Sequence, residues 1–342
     1  MEGRKMERWN VGTYLAVGLV LSIVPSVHLS AQEPPLNAGA LFLVFPVGAQ
    51  AVGMGQTATA SAGRGEAAFW NPAGLATLAA DEFALHSASL VAGKSNVLAA
   101  YFPSRGIGVL GGAVYLVDYG DLDRTDQNGN TIARIAPRNF EFLASYATNL
   151  TGSFVFGVSY KLVQFRVDCS GDCRDFPAGM GATHALDFGG QFSIGAGPGG
   201  PLRIGIALRN VGFRLQVQNQ AQADPLPTRL AVGALYEIRL RPLSSTTGHA
   251  LDQAFDVKLA ADVDSPWGQV GQSETRLGVD IGYQRLVRLR AGYAFVQDGL
   301  SGPSVGLGVE SGSLGVDLAR AFLTGSDLQA DNPTFFSFRV TF

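Results

Sequence analysis

Residues 275–295 read Thr-Arg-Leu-Gly-Val-Asp-Ile-Gly-Tyr-Gln-Arg-Leu-Val-Arg-Leu-Arg-Ala-Gly-Tyr-Ala-Phe. Leu277, Val279, Ile281 and Tyr283 alternate with Arg276, Gly278, Asp280 and Gly282. After a short connection at Arg285 and Leu286 the rule resumes, with Val287, Leu289, Ala291, Tyr293 and Phe295 set against Arg288, Arg290 and Gly292. A period of two is that of strands with one buried face. Here one face is apolar and the other is glycine and charge.

The pattern extends in both directions. Leu202, Ile204, Ile206 and Leu208 alternate with Arg203, Gly205, Ala207 and Arg209, and Phe255, Val257, Leu259 and Val263 with Asp256, Lys258 and Asp262. Segments of about nine to eleven residues, the length that crosses a bilayer as a tilted strand, start near Phe83, Asn96, Ile107, Phe140, Ser153, Ala185 and Leu202, then near Thr228, Ala254, Thr275, Val287, Pro303, Ser313 and Thr334. That makes about fourteen strands, an even number as bacterial barrels require.

Alternation alone also fits a soluble sandwich, whose charged face would meet water. Composition and targeting separate the two. The chain is 46% hydrophobic and only 15% charged, against roughly 25% charged in soluble domains. Glycine supplies 44 of 342 residues, where roughly 7% is usual, and it sits inside alternating segments that a soluble sheet would not weaken so freely. A basic start (Arg4, Lys5, Arg8) precedes an apolar run from Val11 to Val24, with small residues at Ser30 and Ala31. Residues 1–31 therefore read as a secretory signal, and no cysteine directly follows the run to suggest a lipoprotein. After it no stretch reaches the ~18 apolar residues of a membrane helix. The expected fold is all-β: an antiparallel transmembrane barrel in the bacterial outer membrane, spanning 81–342, in contact with outer-membrane lipid.

Connection lengths fit such a barrel, which has short periplasmic turns and long outer loops. Long connections at Tyr119–Asn139, Asp168–His184, Asn210–Pro227, Asp264–Glu274, Val296–Gly302 and Phe322–Pro333 alternate with short ones such as Pro103–Gly106 and Glu310–Gly312. Two depart from the rule: the first, around Ala92–Ser95, is short, and Arg241–Leu251 is long on the periplasmic side. The last segment, Thr334 to Phe342, alternates aromatic and apolar side chains and ends in phenylalanine. It is similar to the C-terminal signal read by the outer-membrane assembly machinery; the alternative is an edge strand that happens to end at Phe342.

Residues 32–80 have a different texture, rich in Ala and Gly from Phe42 to Thr77 and without alternation. The run Pro46-Val47-Gly48-Ala49-Gln50-Ala51-Val52-Gly53-Met54-Gly55, followed by Ala67-Ala68-Phe69-Trp70-Asn71-Pro72-Ala73-Gly74-Leu75-Ala76, resembles the opening signature of the PorV/PorQ family, which looks like a branch of FadL-type barrels. Asn71, Pro72 and Ala73 also match the plug motif of the FadL long-chain fatty-acid transporters. The loop from Tyr119 through Asp121, Asp123, Asp126, Asn128, Gly129 and Asn130 is similar to a PorV/PorQ loop, so the likeness covers most of the mature chain. The resemblance implies a FadL-like barrel with a plug built on Gly48, Met54, Gly55, Trp70, Asn71, Pro72, Ala73 and Gly74. Small residues suit a segment packed inside a lumen, and Pro72 restrains Asn71 to an extended or turn conformation. A tether outside the barrel is the alternative, but it leaves fourteen strands around an open pore.

The PorV/PorQ likeness further implies a role in type IX protein secretion, in which the barrel engages secreted cargo or the translocon through loops such as Tyr119–Asn139 and Asp168–His184. The FadL likeness implies instead a channel for fatty acids or other hydrophobic small molecules, with a plug that shifts and a ligand that leaves sideways into lipid. An outer-membrane hydrolase is a third class, but no nucleophile and base share a recognisable pattern.

Other chemistry is sparse. Gly106, Gly108, Gly111 and Gly112 lie in a strand and form no dinucleotide loop. His86, His184 and His249 lack metal-ligand spacing, so neither cofactor nor metal is expected. A net charge of −3 with scattered Lys and Arg gives no footprint for nucleic acid. Cys169 and Cys173, in an expected outer loop, suit a disulfide on an oxidising route; two ligands alone leave a zinc site unfinished. Asp121, Asp123, Asp126 and Asn128 superficially resemble a calcium loop but miss the Gly and final Glu of that template, so a solvated loop is the default reading and a cation site the alternative. The inward charges Arg203, Arg209, Arg229, Asp256, Lys258, Asp262, Arg276, Asp280, Arg288 and Arg290 carry both signs and are expected to pair across strands or hold the plug.

Overall fold

A computed structural model describes residues 38–61, 63–174, 179–197, 200–216, 223–240, 255–267, 272–284, 286–296, 301–324 and 332–342. The expected signal, 1–31, and the first residues of the expected plug, 32–37, lie outside them. The strands are β1 (Glu82–Leu90), β2 (Gly93–Ser104), β3 (Gly108–Asp118), a short β4 (Leu122–Thr125), β5 (Thr131–Thr151), β6 (Phe154–Gly171), β7 (Gly179–Gly197) and β8 (Gly200–Gly212). They continue as β9 (Arg229–Leu240), β10 (Phe255–Pro266), β11 (Glu274–Tyr283), β12 (Val287–Phe295), β13 (Gly302–Ser311), β14 (Leu314–Ala321) and β15 (Thr334–Thr341).

Each strand pairs antiparallel with its sequence neighbours, except that β3 passes over β4 to pair with β5. β1 pairs with β15, Phe83 opposite Val340, and closes the wall. The result is a closed barrel of fourteen strands, with β4 added above it against the end of β5. Closure removes the sheet edges, as a lipid environment without backbone partners demands.

The parity of the alternation settles which face meets lipid. Leu277, Ile281 and Leu289 are 47%, 42% and 58% exposed, whereas Asp280 and Arg290 are 1% and 3%. Apolar side chains thus point outward and charges inward, the reverse of a soluble barrel. Aromatic side chains mark both rims, as at membrane–water boundaries. Phe83 meets Phe102 and Phe342, and Phe255 meets Tyr283, at the end with short connections. Tyr293 and Phe295, with the exposed Trp267, lie at the other end. The long connections make the latter the outer end. No described helix is long and apolar enough to cross a membrane; crossing is by strands.

Two expected strand starts are corrected. β5 begins at Thr131 instead of near Phe140, and β7 at Gly179 instead of near Ala185. The hairpins β5–β6 and β6–β7 therefore continue well into the stretches expected to be loops. Above the lipid both faces meet water, so ladder hydrogen bonds persist while the apolar alternation that betrays a strand lapses. Salt bridges from Arg138 to Asp118 (3.2 Å) and from Arg166 to Asp168 (2.8 Å) occupy these outer surfaces.

The segment before β1 runs inside the barrel. Gly39 N–H donates to Pro225 C=O (2.9 Å) in the connection between β8 and β9, at the outer end. A short helix α1 (Ala49–Gly53) then packs on β13 and β14. Two 3₁₀ turns, Gly65–Phe69 and Pro72–Thr77, lead to β1 at the periplasmic end. The lumen has two unlike halves. Phe42, Phe69, Trp70 and Leu75 of the segment pack on Val97, Tyr101, Tyr115 and Val163 of the β2–β6 wall, and each such burial contributes about 1.5–3 kcal/mol. Across the lumen, β8–β15 present charge.

Candidate functional site

The plug is fixed where its backbone can touch the wall. Asn71, fully buried, donates from Nδ2 to Thr59 C=O (2.7 Å) and to two wall carbonyls, Gly190 and Ile206 (both 3.3 Å). Its Oδ1 accepts from Ala73 N–H (3.1 Å), capping the turn that Pro72 opens. Close approach requires glycine opposite. A Cβ on Gly157 would lie 2.4 Å from the Pro72 carbonyl carbon, and one on Gly189 would lie 2.0 Å from Asn71 Oδ1. These two glycines face each other on β6 and β7.

The remaining motif residues fall at further contacts. Trp70 donates from Nε1 to Val47 C=O (2.9 Å), and Gly48 (φ 91°) lies directly against the Glu66 carboxylate. Met54 packs with Leu235 and Ala260, and Gly55 sits against the backbone of Leu277 and Tyr293. Gly74 C=O accepts from Gly63 N–H (3.1 Å). The wall offers acceptors to plug amides that would otherwise be orphaned. Asp262 Oδ2 takes Ala58 and Thr59 N–H (2.9 and 2.8 Å), Ser304 takes Gly55 N–H (3.1 Å), and Ser337 takes Ala49 N–H (2.9 Å) while bonded to His86 Nδ1 (2.8 Å).

Most other inward charges pair across strands. Near the periplasmic end an alternating ladder runs Asp256, Arg288, Asp280, Arg290, Asp317, Arg339, Glu310, at 2.5–3.8 Å per step, and ends on Arg64 of the plug. Near the outer end Asp264 accepts from Arg209, Arg229 and Arg276 (2.5, 2.8 and 3.3 Å), while Glu274 shares the last two.

Between this outer cluster and the plug lies a cavity of about 310 Å³, at the small end of the range for ligand sites. It is lined by Leu43, Phe45 and Val47 of the plug and the rings of Phe69, Trp70 and Tyr115, together with the polar side chains of Glu141, Lys161, Arg209 and the Asp264 cluster. A β-bulge shapes this wall. The register of β7 and β8 slips between Leu186 and Phe188, and Asn210 takes φ 58°, a left-handed conformation that Asn tolerates better than most residues. Arg209 and Asn210 are consecutive yet both buried, an outcome strict alternation forbids. Asn210 N–H donates to Asp187 (2.7 Å) and its Oδ1 accepts from Lys161 Nζ (2.8 Å), which also pairs with Asp187 (2.8 Å). Arg209 lies over the Trp70 ring, 5.5 Å from its centroid.

Sequence reasoning singled out Arg209, Arg229 and Arg276 but missed Glu141, Lys161, Asp187, Asp264 and Glu274. Parity alone marks Glu141, which stands between the outward Phe140 and Phe142. Nothing local marks Asn210.

The loop expectations divide. Cys169 and Cys173 form a disulfide, Cα–Cα 6.1 Å, at the tip of the β6–β7 hairpin. The candidate cation ligands are not brought together. Asp121 and Asp123 lie against Arg134 (4.0 and 3.2 Å), and Asp126 closes its own turn by accepting from Asn128 and Asn130 N–H (2.8 and 2.9 Å). The Asn130 amide holds the Asp126 carboxyl below the usual carboxylate range. Among the described residues no group of three or more His, Cys, Asp or Glu could hold a metal. Phe342 is exposed at the periplasmic rim, stacked on Phe83 at 5.4 Å.

No family model and no curated protein matches this sequence. Solved structures do. The Pseudomonas putida toluene transporter TodX matches at 14% identity over 86% of this chain and 98% of its own, with a TM-score of 0.50. A TodX deltaS2S3 mutant, a monoaromatic hydrocarbon channel, matches at 12% identity over 85% and 96% with a TM-score of 0.54. CymD, also a monoaromatic hydrocarbon channel, matches at 15% over 86% and 97% with a TM-score of 0.50. At this identity the likeness is one of fold: the chain shares the closed antiparallel barrel of these three outer-membrane structures.

Proposed function

We propose that the protein is a non-enzymatic outer-membrane channel for small hydrophobic molecules, closed at rest by its plug. The observation that carries this reading is the cavity on the outer side of the plug, half walled by Phe69, Trp70, Tyr115 and apolar plug residues. Such a site can take an apolar molecule from the outer face. A hydrogen-bonded plug keeps the lumen from acting as an open pore for water-soluble solutes. The fold it shares with channels for toluene and other monoaromatic hydrocarbons supports the same class of work. Both supports favour the channel over the secretion role that the PorV/PorQ likeness implies, because neither involves an exported protein. On this reading Phe342 and the β15 pattern serve recognition by the assembly machinery.

The test is purification of the tagged barrel from its native outer membrane, with mass spectrometry of what accompanies it. Hydrophobic small molecules recovered in proportion to the barrel are the expected result. Stoichiometric recovery of secreted cargo or a translocon barrel, without such molecules, would overturn the channel and restore the secretion reading.

A further inference from the structure

The structure assigns a second binding site, for a small water-soluble oxyanion (a phosphate or a carboxylate), to Arg203 and Lys258 on the periplasmic side of the plug. The first ground is charge balance. Along the lumen wall Arg209, Arg229, Arg276, Arg288, Arg290 and Arg339 each hold a carboxylate. Arg203 and Lys258 share their inward parity but, among the described residues, form no ion pair and no hydrogen bond to the plug; Arg203 Nε is buried without an acceptor. The two flank β9 on its inward face, Arg203 opposite Leu235 and Lys258 opposite Glu237. Glu237 forms an ion pair with neither. The other nearby acids are held by arginines: Asp280, opposite Lys258 on β11, lies 2.7 Å from Arg288 and 2.8 Å from Arg290, and Asp256 lies 2.5 Å from Arg288. Their ladder is neutral in itself, with four acids (Asp256, Asp280, Asp317 and Glu310) to four arginines (Arg288, Arg290, Arg339 and Arg64). Two cations therefore stand over a single acid, and a partly desolvated cation without a partner is costly.

The second ground is position. The plug rests on the wall just above: Thr59 C=O lies against Gly205, and Met54 and Ala60 pack with Leu235 and Ala260. Arg203, Glu237 and Lys258 are each the next inward position from these contacts toward the periplasmic rim at Phe255. They form a shelf directly beneath the plug. Arg203 and Lys258 are half-buried and so keep surface in the lumen. A solute from the periplasm reaches them without moving the plug, whereas lipid meets only side chains of the opposite parity. The donors also differ in kind. A guanidinium offers a planar fork to two oxygens of a carboxylate or phosphate, and an ammonium adds a point charge; chloride uses only the charge. The site stands apart from the channel reading, which concerns apolar molecules arriving from the outer side.

The test is phosphorus NMR of inorganic phosphate with the purified barrel in octyl glucoside, a detergent without phosphate. The phosphate line is expected to broaden saturably, acetate to reverse the broadening, and chloride at the same concentration to leave it. Arg203→Met and Lys258→Met, which keep an apolar stem and lose the charge, should each weaken phosphate at least about tenfold, the factor one charged hydrogen bond is worth. Lys258→Arg should retain binding, which separates loss of the charge from loss of the fold. Lys94→Met, at an exposed cation near the outer end, should change nothing. No broadening with the unmodified barrel, broadening that survives both methionine variants, or displacement by chloride as readily as by acetate would overturn the site and leave two solvated lumen charges. Each of these results leaves the channel reading standing, since that reading is decided by the molecules that accompany the barrel from its membrane.

Discussion

One methyl group on the lumen face of β6, in a Gly157→Ala variant, should make the barrel leak. The added carbon would fall 2.4 Å from the Pro72 carbonyl carbon and 2.5 Å from Ala73 N, and both are backbone that no rotamer change can move. The turn at Asn71–Ala73 would leave the wall, taking with it the Asn71 bonds to Gly190 and Ile206. Two or three buried hydrogen bonds at about 1 kcal/mol each come to ~2 kcal/mol or more, which raises the displaced population roughly thirtyfold. Ion conductance across a planar bilayer would read this directly. Gly190→Ala is the control: its Cβ would meet the Phe154 ring at 3.3 Å, away from the plug, and should stay closed. A silent Gly157→Ala barrel would show that the Asn71 turn does not hold the lumen shut.

Asp264→Ala should destabilise the barrel most. The carboxylate is 1% exposed and accepts from three guanidiniums, so its loss leaves Arg229 and Arg276 on Glu274 and takes from Arg209 the carboxylate it pairs with. Stranding buried charge in this way costs about 3–5 kcal/mol, to be measured by urea unfolding in lipid bilayers. Asp264→Asn, which keeps an acceptor, should cost less. A loss below about 1 kcal/mol for the alanine variant would place the cluster in the regime of hydrated surface pairs.

The barrel was legible because lipid imposes a rule on every residue that touches it. The parity of Leu277 and Asp280, or of Leu289 and Arg290, carries strand, face and environment at once, and the fourteen segments follow by repetition. Where lipid stops, so does the rule: Thr131–Asn139 is strand but reads as loop, because its outward positions include Arg134 and Arg138 and the apolar alternation lapses. Of the site, the sequence displayed the charges but not their partners. Asp264 and its three arginines come from four consecutive strands, β8–β11, and only the register in which these pair brings them to one point. Asn210 was illegible for a different reason, since a bulge breaks the very period by which inward residues are recognised. The plug motif was visible through a family likeness alone. Asn71 reaches Gly190 and Ile206 across sequence separations of 119 and 135 residues, and no local pattern encodes such contacts.

The path of the plug also constrains the order in which the molecule can assemble. Its anchors are drawn from far down the chain: Ala49 on Ser337, separated by 288 residues, and Gly55 on Ser304, separated by 249. The β1–β15 seam, Phe83 against Val340, is nearly as distant. Contacts this remote form late. The plug therefore waits, unseated, until β13–β15 arrive, and its outermost described residues, near Gly39, lie at the far end of the lumen from β1. A segment that enters a cylinder from one end and is gripped at the other is most easily placed while the cylinder is still an open sheet. Seam closure would then act as a ratchet, trapping the plug in the same step that removes the last free edge, so that a slow step in folding would coincide with the loss of conductance.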